Sequence, residues 1–122
     1  METDIEIRNR LLAAARDEFF KFGFSKVTID EIATKMGMSK KTVYKYFDSK
    51  EAIVQAVTKA TMNEMVSCCE EIAHNDDIDF VDKLRKMMTL VAMHYSKIGR
   101  PLFEDLQKNA PHVWKQISEF RR

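Results

Sequence analysis

The stretch Thr28-Ile29-Asp30-Glu31-Ile32-Ala33-Thr34-Lys35-Met36-Gly37-Met38-Ser39-Lys40-Lys41-Thr42-Val43-Tyr44-Lys45-Tyr46-Phe47 decides the fold. Thr28 with Glu31 is a capping box, which starts a helix by satisfying its first free N–H groups. Ile29, Ile32, Ala33 and Met36 then share one apolar face, and Gly37 ends the helix early. A backbone of positive φ at that turn costs glycine no Cβ strain. Ser39 caps a second short helix, with Val43, Tyr46 and Phe47 as its inward candidates. Ala33 is small where the two helices cross, Gly37 turns the chain, and Val43 plugs the space between them. A helix-turn-helix that presents its second helix to a duplex needs that spacing.

The same signals extend in both directions. Upstream, Thr3 and Glu6 form another capping box, Leu12, Ala15, Phe19 and Phe22 recur at helical spacing, and Gly23 closes the helix as a left-handed C-terminal residue. Downstream, Asp48 and Ser49 cap a long fourth helix, with Glu51 in the capping-box position relative to Asp48. Its apolar face is Ile53, Ala56, Val57, Ala60, Met65, Cys68 and Ile72, and His74-Asn75-Asp76-Asp77 reads as a linker. A fifth helix starts near Asp79, with Phe80, Leu84, Met87, Val91, Tyr95 and Ile98 as a wide apolar face. Gly99-Arg100-Pro101 breaks it. Leu102, Phe103 and Leu106 suggest a short sixth helix, and Pro111 suits the first turn of a seventh carrying Val113, Trp114, Ile117 and Phe120.

The fold class expected is therefore all-α. Residues 1–47 read as a three-helix, homeodomain-like helix-turn-helix domain. Residues 48–122 read as a connecting helix and a partial ligand-binding and dimerisation domain. Helical periodicity still runs at Arg122, so the chain is expected to stop inside a helix of a truncated second domain.

Composition agrees. The 122 residues are 45% hydrophobic with 3 Gly, 2 Pro and 2 Cys, which excludes collagen-like, disulfide-scaffold and low-complexity classes and favours helices over a turn-rich β fold. The net charge of +1 by itself announces no nucleic-acid partner. Its distribution is more telling, because Lys35, Lys40, Lys41, Lys45 and Lys50 cluster against the single acid Asp48. Cys68 and Cys69 are adjacent and unsuited to a mutual disulfide, so a reduced, cytoplasmic protein is the expectation. They read as a redox pair or as inert helical thiols. His74, His94 and His112 have no ligand spacing, so neither metal nor cofactor is expected. No apolar run reaches the length of a membrane span, and no membrane partner is expected. No nucleophile–base pair or carboxylate dyad stands out, so an enzyme is not expected.

With Val43 and Phe47 turned inward, Lys40, Lys41, Thr42, Tyr44 and Lys45 fill the rest of the third helix. Lysines neutralise phosphates, and lysine and threonine also reach base edges in the major groove. Lys50, on the first turn of the fourth helix, and Thr28, opening the second, sit where helix N-termini attract phosphate. Lys45 reads either as a phosphate contact or as plain surface, and Tyr46 either as a contact or as partly core. The basic face could instead meet an acidic protein or membrane surface, as a helical interaction module.

The run Leu11-Leu12-Ala13-Ala14-Ala15, Phe19-Phe20, Gly23, Thr28-Ile29, Ile32-Ala33, Gly37-Met38-Ser39, Thr42-Val43-Tyr44, Tyr46-Phe47 and Lys50-Glu51 resembles the DNA-binding domain of the tetracycline-repressor (TetR) family. The resemblance covers roughly residues 5–60. It implies a dimeric, ligand-responsive transcription factor, a repressor in most members, whose third helix reads the major groove of double-stranded DNA. By position it places Thr28, Ser39, Lys40, Lys41, Thr42, Tyr44, Tyr46 and Lys50 among the DNA contacts. Lys41 stands where many members have glycine, and Tyr46 where many have histidine. The resemblance also implies that a complete protein continues into helices that form a homodimer.

Eight methionines in a helical chain either fill the core or line an adaptable apolar pocket. The candidates for contact with a small-molecule effector are Met65, Met88, Val91, His94, Tyr95, Phe103 and Trp114.

Overall fold

The computed structural model describes residues 2–120. Among these are seven helices and no strand: α1 (Asp4–Phe22), α2 (Ile29–Met36), α3 (Lys40–Tyr46), α4 (Lys50–Ala73), α5 (Phe80–Ile98), α6 (Arg100–Asn109) and α7 (Pro111–Phe120). The side chain of Phe120 and the expected helical ending at Arg122 lie outside the described residues.

Helix starts follow the short polar side chains. The hydroxyls of Thr3, Thr28 and Ser39 accept from the N–H groups of Glu6, Glu31 and Thr42, at 3.2, 3.1 and 3.1 Å. At α4 the cap is Ser49, which accepts from the Ala52 N–H at 3.1 Å, so the capping box expected between Asp48 and Glu51 does not form. Ser49 is one residue nearer the first helical turn and takes that role. Gly37 closes α2 in the left-handed conformation (φ 67°, ψ 32°), and the Met38 N–H reaches back to the Ala33 carbonyl at 3.0 Å. Gly23 differs from the left-handed expectation. Its φ is 86° but its ψ is −173°, an extended mirror-image conformation that only glycine adopts readily.

One continuous core runs through the molecule. Leu11, Ala15 and Phe19 of α1 meet Ile32 and Ala33 of α2, Val43 of α3, and Ile53, Val54 and Val57 of α4. It continues through Ile98, Leu102, Leu106, Val113 and Ile117. Helix α6 lies against α1, and α7 against α4 and α6. The three N-terminal helices are therefore joined to α4 and α6 chiefly through α1.

Three expected faces differ. On α1, Leu11 rather than Leu12 is buried with Ala15 and Phe19, and Phe22 is exposed. On α4 the buried set is Ile53, Val54, Val57 and Thr58, and Ala60 is exposed. Thr58 is covered because α7 packs on that side of α4, where Gln116 and Ile117 lie beside it. On α5 only Ile98 is buried, and Phe80 and Met88 are 72% and 71% exposed. Gly99 (φ 80°) turns the chain sharply, so α6 and α7 meet only the C-terminal end of α5. α4 packs along α5, but the face bearing Phe80, Val81, Leu84 and Met88 is left exposed.

Candidate nucleic-acid interface

Helices α2 and α3 form the expected helix-turn-helix. Val43 is fully buried between them and Ala33 is 3% exposed at the crossing. This fixes the outward face of α3. Lys40, Lys41, Tyr44 and Lys45 are exposed and Thr42 is half-buried. Thr28 and Ser39 are exposed at the two helix starts. The Ser39 and Thr42 hydroxyls lie 2.9 Å apart and pair with each other. Lys40 Nζ stands 3.9 Å from Asp30, an exposed pair too weak to withhold it from a phosphate. Lys41 has no hydrogen bond or ion pair among the described residues. The face is basic, polar and free to approach a groove.

Two expected contacts are held elsewhere. The Tyr46 hydroxyl donates to Asp4 Oδ1 at 3.0 Å, so its ring pins α3 to the start of α1. Burial, and then that hydrogen bond, raise its phenol above the ordinary tyrosine value. Lys50 Nζ donates to the Ser25 carbonyl at 3.4 Å and lies 4.3 Å from the centre of the Phe24 ring. Partial burial lowers its ammonium pKa, although the carboxylates of Glu51, Asp105 and Glu31 oppose the shift. Sequence spacing puts both side chains on the right helices, but cannot show that an internal partner already waits there.

A second feature is a narrow cleft, with about 20 Å³ of free space, at the junction of α4, α5, α6 and α7. Four of the effector candidates, Met65, His94, Tyr95 and Phe103, line it. Thr58, Thr61, Met62, Ile98 and Ile117 complete the wall, and sequence reading missed them. Ile98 and Ile117 already stood on the expected apolar faces of their helices, whereas nothing in the sequence marked Thr58 and Thr61. Trp114 sits behind the wall, edge-on to Phe103 with ring centres 5.5 Å apart. Met88 and Val91 are not brought to the cleft. They share the face of Tyr95 but lie further toward the N-terminus of α5, beyond the reach of α6 and α7. No Asp, Glu, Lys or Arg side chain lines the cleft. No group of His, Cys, Asp and Glu that could hold a metal occurs among the described residues.

An all-α chain whose helix-turn-helix shows a free basic face, packed on helices enclosing an apolar cleft, is in the class of helix-turn-helix regulatory proteins. Residues 11–57 match the family profile "Bacterial regulatory proteins, tetR family", and the chain belongs to that family. The match runs ten residues past the boundary expected at 47, into α4. The chain is 38% identical over 114 residues to the HTH-type transcriptional regulator RutR of Escherichia coli K12, across 91% of this chain and 53% of RutR. It is 37% identical over 115 residues to the HTH-type transcriptional activator FasR of Mycolicibacterium smegmatis, across 92% and 52%. A transcriptional regulator from Cytophaga hutchinsonii superposes with a TM-score of 0.76 at 28% identity, across 92% of this chain and 57% of that one. The chain thus spans about half the length of the curated relatives it matches. No helix among the described residues is long and apolar enough to cross a membrane.

Proposed function

We propose that this chain is the DNA-reading half, with part of the regulatory half, of a ligand-responsive transcriptional repressor that works as a homodimer. The observation that carries the reading is the exposed pair Lys41 and Tyr44, with half-buried Thr42 beside them, on a helix whose other side is locked by Val43. α3 enters the major groove, where Lys41 and Thr42 reach base edges and Tyr44 lays its ring against the groove wall. Thr28, Ser39, Lys40 and Lys45 meet the flanking phosphates, which makes affinity fall as salt rises. Residues 1–47 form the reading unit, and residues 48–122 carry the connecting helix and the effector cleft.

A small molecule that widens the cleft among α4–α7 meets a largely apolar wall of methionine, isoleucine, aromatic and threonine side chains, with His94 beside them. Such a wall selects a neutral, largely apolar molecule. The ligand shifts DNA affinity only by as much as it prefers one arrangement of the helices. Tilting of α4 changes the separation of the two reading helices in a dimer, and so sets the fit to two half-sites.

The test is a fluorescence-anisotropy titration at fixed salt with the duplex upstream of the protein's own gene and a scrambled duplex. Preference for the first duplex, reduced in Tyr44→Ala, supports the reading. Equal binding of both duplexes, with acidic vesicles or an acidic polypeptide bound as well, sinks it in favour of a basic interaction module. Lower transcription from the bound promoter in a reporter assay marks repression, and higher transcription marks activation.

A further inference from the structure

Ser25, in the turn between α1 and α2, is gripped from two sides. Its N–H donates to Asp105 Oδ2 at 2.7 Å and its hydroxyl donates to Asp105 Oδ1 at 2.6 Å. Its carbonyl accepts from Lys50 Nζ at 3.4 Å. Asp105 belongs to α6 and Lys50 to α4, so one residue of the turn joins both helices to the reading unit. The carboxylate is well seated. Asn109 Nδ2 donates to it at 2.6 Å, and a Cβ on Gly23 would stand only 2.9 Å from Oδ2. Glycine at 23 is therefore what lets the carboxylate approach the backbone of the turn. Charge-assisted hydrogen bonds of this kind are stronger than neutral ones and directional. The Lys50 ammonium lies over the Phe24 ring, which adds a cation–π contact from the other side.

We propose that Ser25, Asp105 and Lys50 form a polar latch that fixes how the α1–α3 unit sits on α4 and α6, and that Lys50 holds this turn rather than a DNA phosphate. This rests on the DNA-binding reading only for its consequence at the duplex; the latch itself is a property of the free protein. Asp105 and Lys50 are positioning residues. They set the orientation in which α3 is presented and add no counterion release of their own.

The first test needs no DNA. Amide hydrogen exchange and urea unfolding are measured for Lys50→Met, Asp105→Asn and the double variant. Both substitutions keep the size of the side chain, and methionine keeps the stem over Phe24. A latch makes the Ser25 amide exchange about tenfold faster in Asp105→Asn, the loss of one charge-assisted hydrogen bond. It also makes the double variant's shift in urea midpoint smaller than the sum of the two single shifts. An additive cycle with unchanged exchange at Ser25 overturns the latch. The second test is the salt dependence of duplex binding. The latch leaves the slope in Lys50→Met equal to that of the unsubstituted chain, whereas Lys41→Met lowers it by about one. A slope lowered equally by both substitutions makes Lys50 a phosphate contact and overturns the proposal. If the unsubstituted chain binds neither duplex, the DNA-binding reading fails while the exchange and unfolding results still decide the latch.

Discussion

In the DNA-reading function proposed above, Lys41 is the residue on which base contact turns. It is exposed on α3 and unpaired among the described residues, so a contact it makes with DNA displaces no internal partner. Lys41→Ala is expected to weaken cognate binding by about 1–3 kcal/mol if it touches a base edge, read by anisotropy at fixed salt. Unchanged cognate affinity would show that Lys41 reads nothing. Two glycines give a contrast in stability. Gly37→Ala meets open space and only a positive φ, so a loss of about 1 kcal/mol is expected. Gly23→Ala adds a Cβ 2.9 Å from Asp105 Oδ2 to its own positive φ, and is expected to lower the urea midpoint further. The turn at Gly37 was legible because small, glycine and apolar positions recur at fixed spacing. The clash that forbids a side chain at Gly23 was not, because Asp105 is 82 positions away in the chain.

At the scale of the element, starts were easier to read than faces. Caps are local, made by a hydroxyl and an N–H three residues apart, and Thr3, Thr28 and Ser39 form them as the sequence indicates. Ser39→Ala is expected to cost about 1 kcal/mol in urea unfolding, because it frees the first N–H groups of a helix of only 7 residues. Ile32→Ala, at a fully buried position of α2, is expected to cost about 2–5 kcal/mol by the same measurement. Faces depend on neighbours. The apolar stripe expected on α4 included Ala60 and omitted Val54 and Thr58, because periodicity gives a stripe's width but not which edge the packing partners cover. Thr58 is tolerated in the core because its hydroxyl donates to the Val54 carbonyl at 3.0 Å.

Across the whole molecule, the latch and the shared core join the reading helices to those around the cleft. Burial pushes the Asp105 carboxyl up, but hydrogen bonds from Ser25, Asn109 and the Phe24 N–H outweigh it and hold the carboxyl below its usual value. A carboxyl depressed on folding contributes stability above its unfolded value, near about pH 4, and loses it as pH falls through the lower folded value. The urea midpoint of the unsubstituted chain is therefore expected to drop below about pH 4 more steeply than that of Asp105→Asn. Parallel curves would show that Asp105 gains nothing from its partners. The exposed apolar face of α5 also belongs to this scale, since α4 covers the other side of that helix and α6 and α7 lie only at its C-terminal end.

The sequence by itself determined what is local: seven helices with their starts and breaks, the helix-turn-helix with its Ala33–Gly37–Val43 spacing, and the basic outward face of α3. Each depends on residues within a few turns of one another, where backbone geometry and helical period leave little choice. Only the tertiary structure decided the rest. It drew Lys50 and Tyr46 to internal partners, brought Asp105 to Ser25, and gathered Thr58, Met65, His94 and Phe103 into one cleft while leaving Met88 outside. These outcomes depend on which helix faces pack together, and long-range packing is decided by the whole set of apolar surfaces rather than by the pattern on any one helix.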